Sequence, residues 1–182
     1  MECSGCGLMM LNPQPSDGQL AEIYGTDYYL GDPSEQGRQQ FAEMKRATAR
    51  IYLEELEKYR GLAGGRLLEV GCGPGDFLHE AHNSGYHVTG IEINAIAVDR
   101  ARKTLPADAQ VICGTLGNAE LAAEKFDVCV LSDVIEHVRD PVAFLLELRQ
   151  VLAPNAVLLV STPSLDSWSA KLLKQNLSLI HI

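Results

Sequence analysis

The sequence predicts a doubly wound α/β domain: a mostly parallel, Rossmann-like sheet with helices on both faces. Three observations predict it. Short, nearly continuous apolar runs alternate with helical patterns from residue 66 onward, as expected of parallel strands buried on both faces. The first run leads through Gly71, Gly73 and Gly75 into a helix. The second ends at an acid, Glu92, 21 residues after Gly71. Right-handed crossovers between such strands place ligands at their carboxyl ends.

The elements follow in order. Residues 1–38 are rich in Gly, Pro, Asp, Tyr and Ser and read as mostly irregular, with a short helix near 18–24. Residues 39–59 turn helical, with Phe41, Met44, Ile51, Tyr52, Leu56 and Tyr59 recurring near the 3.6-residue period. Glu54 and Lys58 form an i, i+4 pair on the outer face. The helix stops before Gly61, and Gly64-Gly65 is a turn. Strands are expected at 66–71, 87–91, 110–113, 126–132 and 156–161. Helices are expected at 76–84, 95–104 and 141–152, and a further one from Ser164. Asp140-Pro141 is an N-cap followed by proline at the first helical position.

Composition narrows the function classes. Lys plus Arg number 15 against 24 Asp plus Glu, a net charge of -9, which argues against broad nucleic-acid or anionic-membrane binding. No apolar run approaches the ~18 residues of a membrane span, and the first residues lack the pattern of a signal peptide. The expectation is a cytosolic protein. The five cysteines show no disulfide framework; Cys72, Cys113 and Cys129 sit in apolar segments and read as buried, reduced thiols.

The chemistry is carried by three stretches. In Glu69-Val70-Gly71-Cys72-Gly73-Pro74-Gly75-Asp76 a strand enters a glycine turn and then a helix. Glycines let the backbone turn sharply and approach a ligand closely, and the helix N-terminus offers N–H groups and a positive dipole end suited to a carboxylate. A dinucleotide fingerprint needs a third glycine where Asp76 stands, and no phosphate-loop lysine follows. In Gly90-Ile91-Glu92-Ile93 the acid can accept hydrogen bonds from both hydroxyls of a ribose, or cap the next helix. A strand-end acid is rarely core, so removing Glu92 is expected to spare the fold. In Ser132-Asp133-Val134-Ile135-Glu136-His137 the chain leaves the fourth strand in a loop over the site.

Together E-V-G-C-G-P-G, I-E-I-N, F-D-V-C-V-L-S-D-V-I-E-H-V-R-D-P and L-A-P-N-A-V-L-L-V-S-T-P resemble the class I S-adenosylmethionine (SAM)-dependent methyltransferases. The likeness is strongest to the branch of ubiquinone-biosynthesis O-methyltransferases and covers about residues 40–170. It implies SAM as cofactor and a small-molecule acceptor. By this resemblance Glu69, Gly71, Cys72, Gly73 and Gly75 line the methionine and ribose side. Glu92 holds the ribose diol and Ile93 packs on adenine. Thr115 and Leu116 border the adenine, where many relatives have an Asp. Ser132 and Asp133 flank the methionine portion. His137 is the candidate catalytic base, with a purely loop-fixing role as the other reading. Asp133, Glu136 and His137 resemble a metal-binding set of some relatives, but no metal is assigned. The rival functions are an NAD- or nucleotide-sugar-binding Rossmann protein, and a catalytically inactive SAM-binding fragment.

Both ends read as incomplete. Cys3-Ser4-Gly5-Cys6 resembles the second knuckle of a zinc ribbon, and a structural zinc needs four ligands. Residues 39–176 are expected to be the SAM-binding core, lacking its last strands, and 177–182 a non-native tail. The fifth strand would then be an exposed edge prone to pairing. The oligomeric state stays open.

Overall fold

The computed structural model describes residues 34–123 and 125–164, with isolated positions 4, 5, 7, 13–16, 18, 19, 167 and 172. The chain divides into two compact units, one of residues 29–162, the other of 1–28 with 163–182. Cys3, Cys6, the tail 177–182 and most of the helix expected from Ser164 lie outside the described residues. Of the helix expected at 18–24, only Gly18 and Gln19 are described, both helical.

Within residues 29–162 the order is α1 (Glu35–Arg60), β1 (Gly65–Val70), α2 (Asp76–Asn83), β2 (Tyr86–Glu92), α3 (Ala95–Thr104), β3 (Gln110–Cys113), β4 (Phe126–Ser132), α4 (Pro141–Val151) and β5 (Leu152–Ser161). Short 3-10 turns occupy Leu116–Asn118 and Ile135–His137. The strands form one sheet in the order β3-β2-β1-β4-β5, every neighbouring pair parallel. The order reverses between β1 and β4, so the crevice at their carboxyl ends is the place for a ligand. No helix among the described residues is long and apolar enough to cross a membrane.

Strand alternation divides the core between two faces. Leu67, Val88, Val128 and Val130 face α1, α2 and α3, packing in one cluster with Ala49, Leu53, Leu56, Leu78, Ala81 and Val98. Leu68, Val70, Ile91, Cys129 and Leu131 lie in the other cluster with Leu116 and Leu148. Gly90 lets α2 approach the sheet: a Cβ there would lie 2.6 Å from both Cys72 Sγ and Leu78 Cδ1.

The helix ends obey local rules. Ser34 Oγ accepts the Gly37 N–H and caps α1; Gly61, at φ 70°, ends it. Asp140 caps α4 by accepting the Ala143 N–H, with Pro141 next to it. Two expectations about α1 need correction. Its buried stripe is Ala49, Leu53 and Leu56, whereas Phe41, Met44, Ile51 and Tyr59 are exposed. The periodicity was set by the large side chains, but the small Ala49 and its neighbours at i+4 and i+7 meet the sheet. Lys58 pairs with Glu55 at 2.6 Å, three residues away, not with Glu54. At the other end, β5 begins at Leu152, directly after α4. Its pairing with β4 is irregular between Phe126 and Val128, and Asn155 takes a positive φ of 63° on that stretch.

Candidate cofactor site

The crevice is built from the carboxyl ends of β1, β2 and β4. Gly71, Gly73 and Gly75 all have positive φ, 75°, 51° and 88°, a conformation that glycine adopts without steric cost. The turn is hung from β2: the N–H groups of Gly71 and Cys72 both donate to Ile91 O, at 2.8 and 3.1 Å. Gly73 N–H donates to Glu92 Oε2 at 2.9 Å. Asn94 N–H donates to Glu92 Oε1 at 2.8 Å. Glu92, only 1% exposed, therefore ties the glycine turn of β1 to the start of α3. The helix cap itself is Asn94, whose Oδ1 accepts from Ile96 and Ala97. The burial of Glu92 corrects the premise that this strand-end acid lies outside the core.

The other expected site residues sort by where their side chains go. Ile93 is 50% exposed at the end of β2, and Thr115 is exposed after β3. Gly114 N–H donates to Glu92 O at 2.9 Å, holding the two strand ends together. Leu116 belongs to the apolar core, so it supports the rim from below. Cys72 is buried with its sulfur against Gly90, and only its backbone belongs to the turn. Burial pushes its thiol pKa well up. A Cβ on Gly75 would meet Leu105 and Ala101 of α3 at 3.0 and 3.2 Å, so this glycine packs helices together as it opens α2. A Cβ on Gly71 would meet Val134 Cγ2 at 2.6 Å, which places the loop after β4 over the turn.

That loop leaves β4 through Ser132, partner of Ser161 in the register. Asp133 takes φ 55°, and its N–H donates to Ser161 O at 2.9 Å. His137 is half-buried in the 3-10 turn, and its N–H donates to Val134 O. Its Nδ1 is sealed from solvent. Among the described residues no group of three or more His, Cys, Asp or Glu is placed to hold a metal ion, so Asp133, Glu136 and His137 do not converge as such a set.

Helix α1 supplies contacts that the sequence did not reveal. Lys45 reaches Asp133 Oδ2 at 3.4 Å, Arg46 reaches Asp76 Oδ1 at 3.2 Å, and Tyr52 Oη lies 2.8 Å from Ser161 Oγ. Asn94, Asn118 and Val134 were also passed over. Asn94 carried a readable signal, a cap residue just after the strand-end acid. Asn118 Oδ1 accepts the Thr115 N–H at 2.7 Å.

The electrostatics are acidic. Glu69 is 4% exposed, and its Oε2 is buried without a hydrogen-bond partner. Burial, then the Asp76 and Glu92 carboxylates, push its pKa well above the usual carboxylate range, against a pull from Lys45. Asp76 stands in the first turn of α2; burial raises its pKa too, with Arg46 opposing. The positive end of α2, expected to await a ligand's carboxylate, already has a carboxylate of its own.

A family model described as a methyltransferase domain matches residues 22–181. The chain belongs to this methyltransferase-domain family. The ubiquinone biosynthesis O-methyltransferase of Actinobacillus pleuropneumoniae serotype 7 (strain AP76) is 34% identical over 114 residues, 58% of this chain and 49% of that protein. The mitochondrial ubiquinone biosynthesis O-methyltransferase of Schizosaccharomyces pombe is 27% identical over 135 residues, 70% of this chain and 49% of that one. The chain spans about half the length of the curated relatives it matches. A SAM-bound amino pentose methyltransferase from Micromonospora echinaspora superposes with a TM-score of 0.58 at 25% identity, covering 65% of this chain and 51% of that one. A SAM-dependent methyltransferase from Leishmania major shares the fold, with a TM-score of 0.60 at 19% identity over 79% of this chain and 59% of that one.

Proposed function

We propose that this chain is the cofactor-binding core of a SAM-dependent methyltransferase that acts on a small-molecule acceptor. The observation that carries the choice of cofactor is the acidic lining of the glycine turn, Glu69, Asp76 and Glu92 together. A dinucleotide would bring a pyrophosphate to the N-terminus of α2, where the Asp76 carboxylate repels it. A cofactor with an ammonium, a sulfonium and a ribose diol suits the same surface.

The residues fit that group. Glu92 keeps both oxygens in place through the Gly73 and Asn94 N–H groups, and each carboxylate oxygen has further acceptor capacity for the ribose hydroxyls. Ile93 offers an exposed apolar surface to adenine beside Thr115. The carbonyl-rich turn and Glu69 suit the ammonium, with Ser132 and Asp133 on the flank. When bound, the cofactor supplies a methyl group already activated by its sulfonium. The chain must then align the acceptor and exclude water. Val134 closes over Gly71, and the Lys45–Asp133 pair bridges α1 to the same loop. His137, in the same loop, is the candidate to take a proton from the acceptor. Relatives named O-methyltransferases make a hydroxyl the first acceptor class to try. The net charge of -9 speaks for a small molecule over nucleic acid, and the free thiols of Cys72 and Cys129, both buried, and of Cys113, exposed against expectation, suit the cytosol.

Titration calorimetry with SAM and with NAD tests the reading. SAM is expected to bind and NAD to give no heat. Tighter binding of NAD would overturn it.

A further inference from the structure

We propose that the Glu69 carboxyl carries a proton in the ligand-free protein and releases it when the ammonium of a bound cofactor seats beside it. The inference rests on the SAM-site reading given above and concerns how that site is kept in charge balance when empty. Three carboxyl groups, Glu69, Asp76 and Glu92, act on one another at the carboxyl ends of β1 and β2 and the start of α2. Two are compensated: Glu92 by the Gly73 and Asn94 N–H groups, Asp76 by Arg46. Lys45, the cation of α1 that acts on Glu69, bonds Asp133. Glu69 Oε2 has no hydrogen-bond partner and no access to water.

The groups facing Glu69 from each side point one way. From α1 comes Lys45, engaged with Asp133. From α2 comes Asp76, on which Arg46 and His79 act in turn. From β2 comes Glu92. The thiols of Cys72, in the turn, and Cys129, on β4, also feel Glu69, and burial holds both protonated. An ionised, unpaired carboxylate in this setting is costly, and the group relieves the cost by taking up a proton. A cation beside it reverses the preference: the O–H bond breaks, the electron pair stays on the carboxylate, and the proton passes to the buffer.

The test is calorimetry of SAM binding at about pH 6 in buffers of different ionisation enthalpy. At that pH the ligand's α-ammonium, with a pKa of about 7.7–8.0, is charged both free and bound, so a released proton comes from the protein. Wild type is expected to release close to one proton per site; Glu69→Gln, which lacks the titrating carboxyl and the charge that meets the ammonium, is expected to bind SAM more weakly and to release close to none for what it binds. Infrared difference spectra of the wild type supply a second measurement that needs no variant. The carbonyl stretch of a protonated carboxyl should disappear on binding. Binding by the wild type without proton release, or with that band unchanged, would overturn the proposal and leave the SAM site standing. No binding of SAM at all would remove both.

Discussion

Replacing Glu92 by alanine should destabilise the ligand-free protein before it affects any ligand. The side chain is 1% exposed and accepts two backbone N–H groups. Hydrogen bonds to a charged group contribute about 1.5–3 kcal/mol each. The Gly73 N–H is buried and forfeits that amount, whereas water can reach the half-buried Asn94 and limits its share to about 1 kcal/mol. The expected loss is about 2.5–4 kcal/mol, a fall in Tm of roughly 5–16 °C for a chain of this size. SAM affinity should fall by a further 1–3 kcal/mol, about 5- to 150-fold, for the lost ribose bonds. Urea unfolding followed by circular dichroism gives the first quantity, and calorimetry of the folded fraction gives the second. Glu92→Gln keeps one acceptor oxygen and should lie between. A Glu92→Ala protein as stable as wild type without ligand would refute the claim that this acid clamps the turn.

Three further substitutions probe other parts. Gly90→Ala places a methyl 2.6 Å from Cys72 Sγ and Leu78 Cδ1 and should cost about 1–3 kcal/mol by overpacking, read by thermal unfolding. Asp127 accepts the Arg66 N–H at 2.8 Å and two guanidinium bonds, so Asp127→Asn should cost about 1 kcal/mol, little because the pair is part-exposed. The Arg66 bonds lower the Asp127 pKa below its usual 3.8; the stabilisation is therefore present above that value and is lost as pH falls through the lower folded one. Urea midpoints across acidic pH should converge for the two proteins, and parallel curves would count against the pairing. His137→Ala in the intact protein should lower kcat more than SAM affinity and remove the acidic limb of the pH–rate profile. A profile that keeps both limbs would assign His137 to fixing the loop.

Much of this fold was legible because its rules are local. The period of the strands, the Asp140-Pro141 cap and the glycine turn each state their conformation within a few residues, and handed crossovers make the sheet doubly wound. At the site, sequence spacing placed Glu92 and Gly73 in one crevice but could not show that they bond each other. It also could not tell ligand-facing from core-facing positions inside one motif. Cys72, Gly75 and Leu116 lie in the signature stretches, yet the Cys72 and Leu116 side chains join the apolar core, and the space beside Gly75 is filled by α3. Helix α1 was misread for a related reason. Its buried stripe is set by which residues meet the sheet, and Ala49 carries too little hydrophobicity to mark that side.

The partners of α1 explain why the site's charge balance was invisible in the sequence. Asp76 opens α2 and Asp133 follows β4, and neither has a Lys or Arg within four residues in the chain. Lys45 and Arg46 supply the cations from 88 and 30 residues away. Before Ala49 the described side chains of α1 include none that is fully buried, so these ion pairs, with Arg50–Glu80, position that half of the helix over the strand ends. Two cations at neighbouring positions of one helix are thus committed to two separate carboxylates of the crevice, Asp133 and Asp76. Glu69 is the carboxyl left over from that distribution. It sits near the carboxyl end of the central strand β1, where an acid with no hydrogen-bond partner on Oε2 is unfavourable for folding and useful only to a cationic ligand.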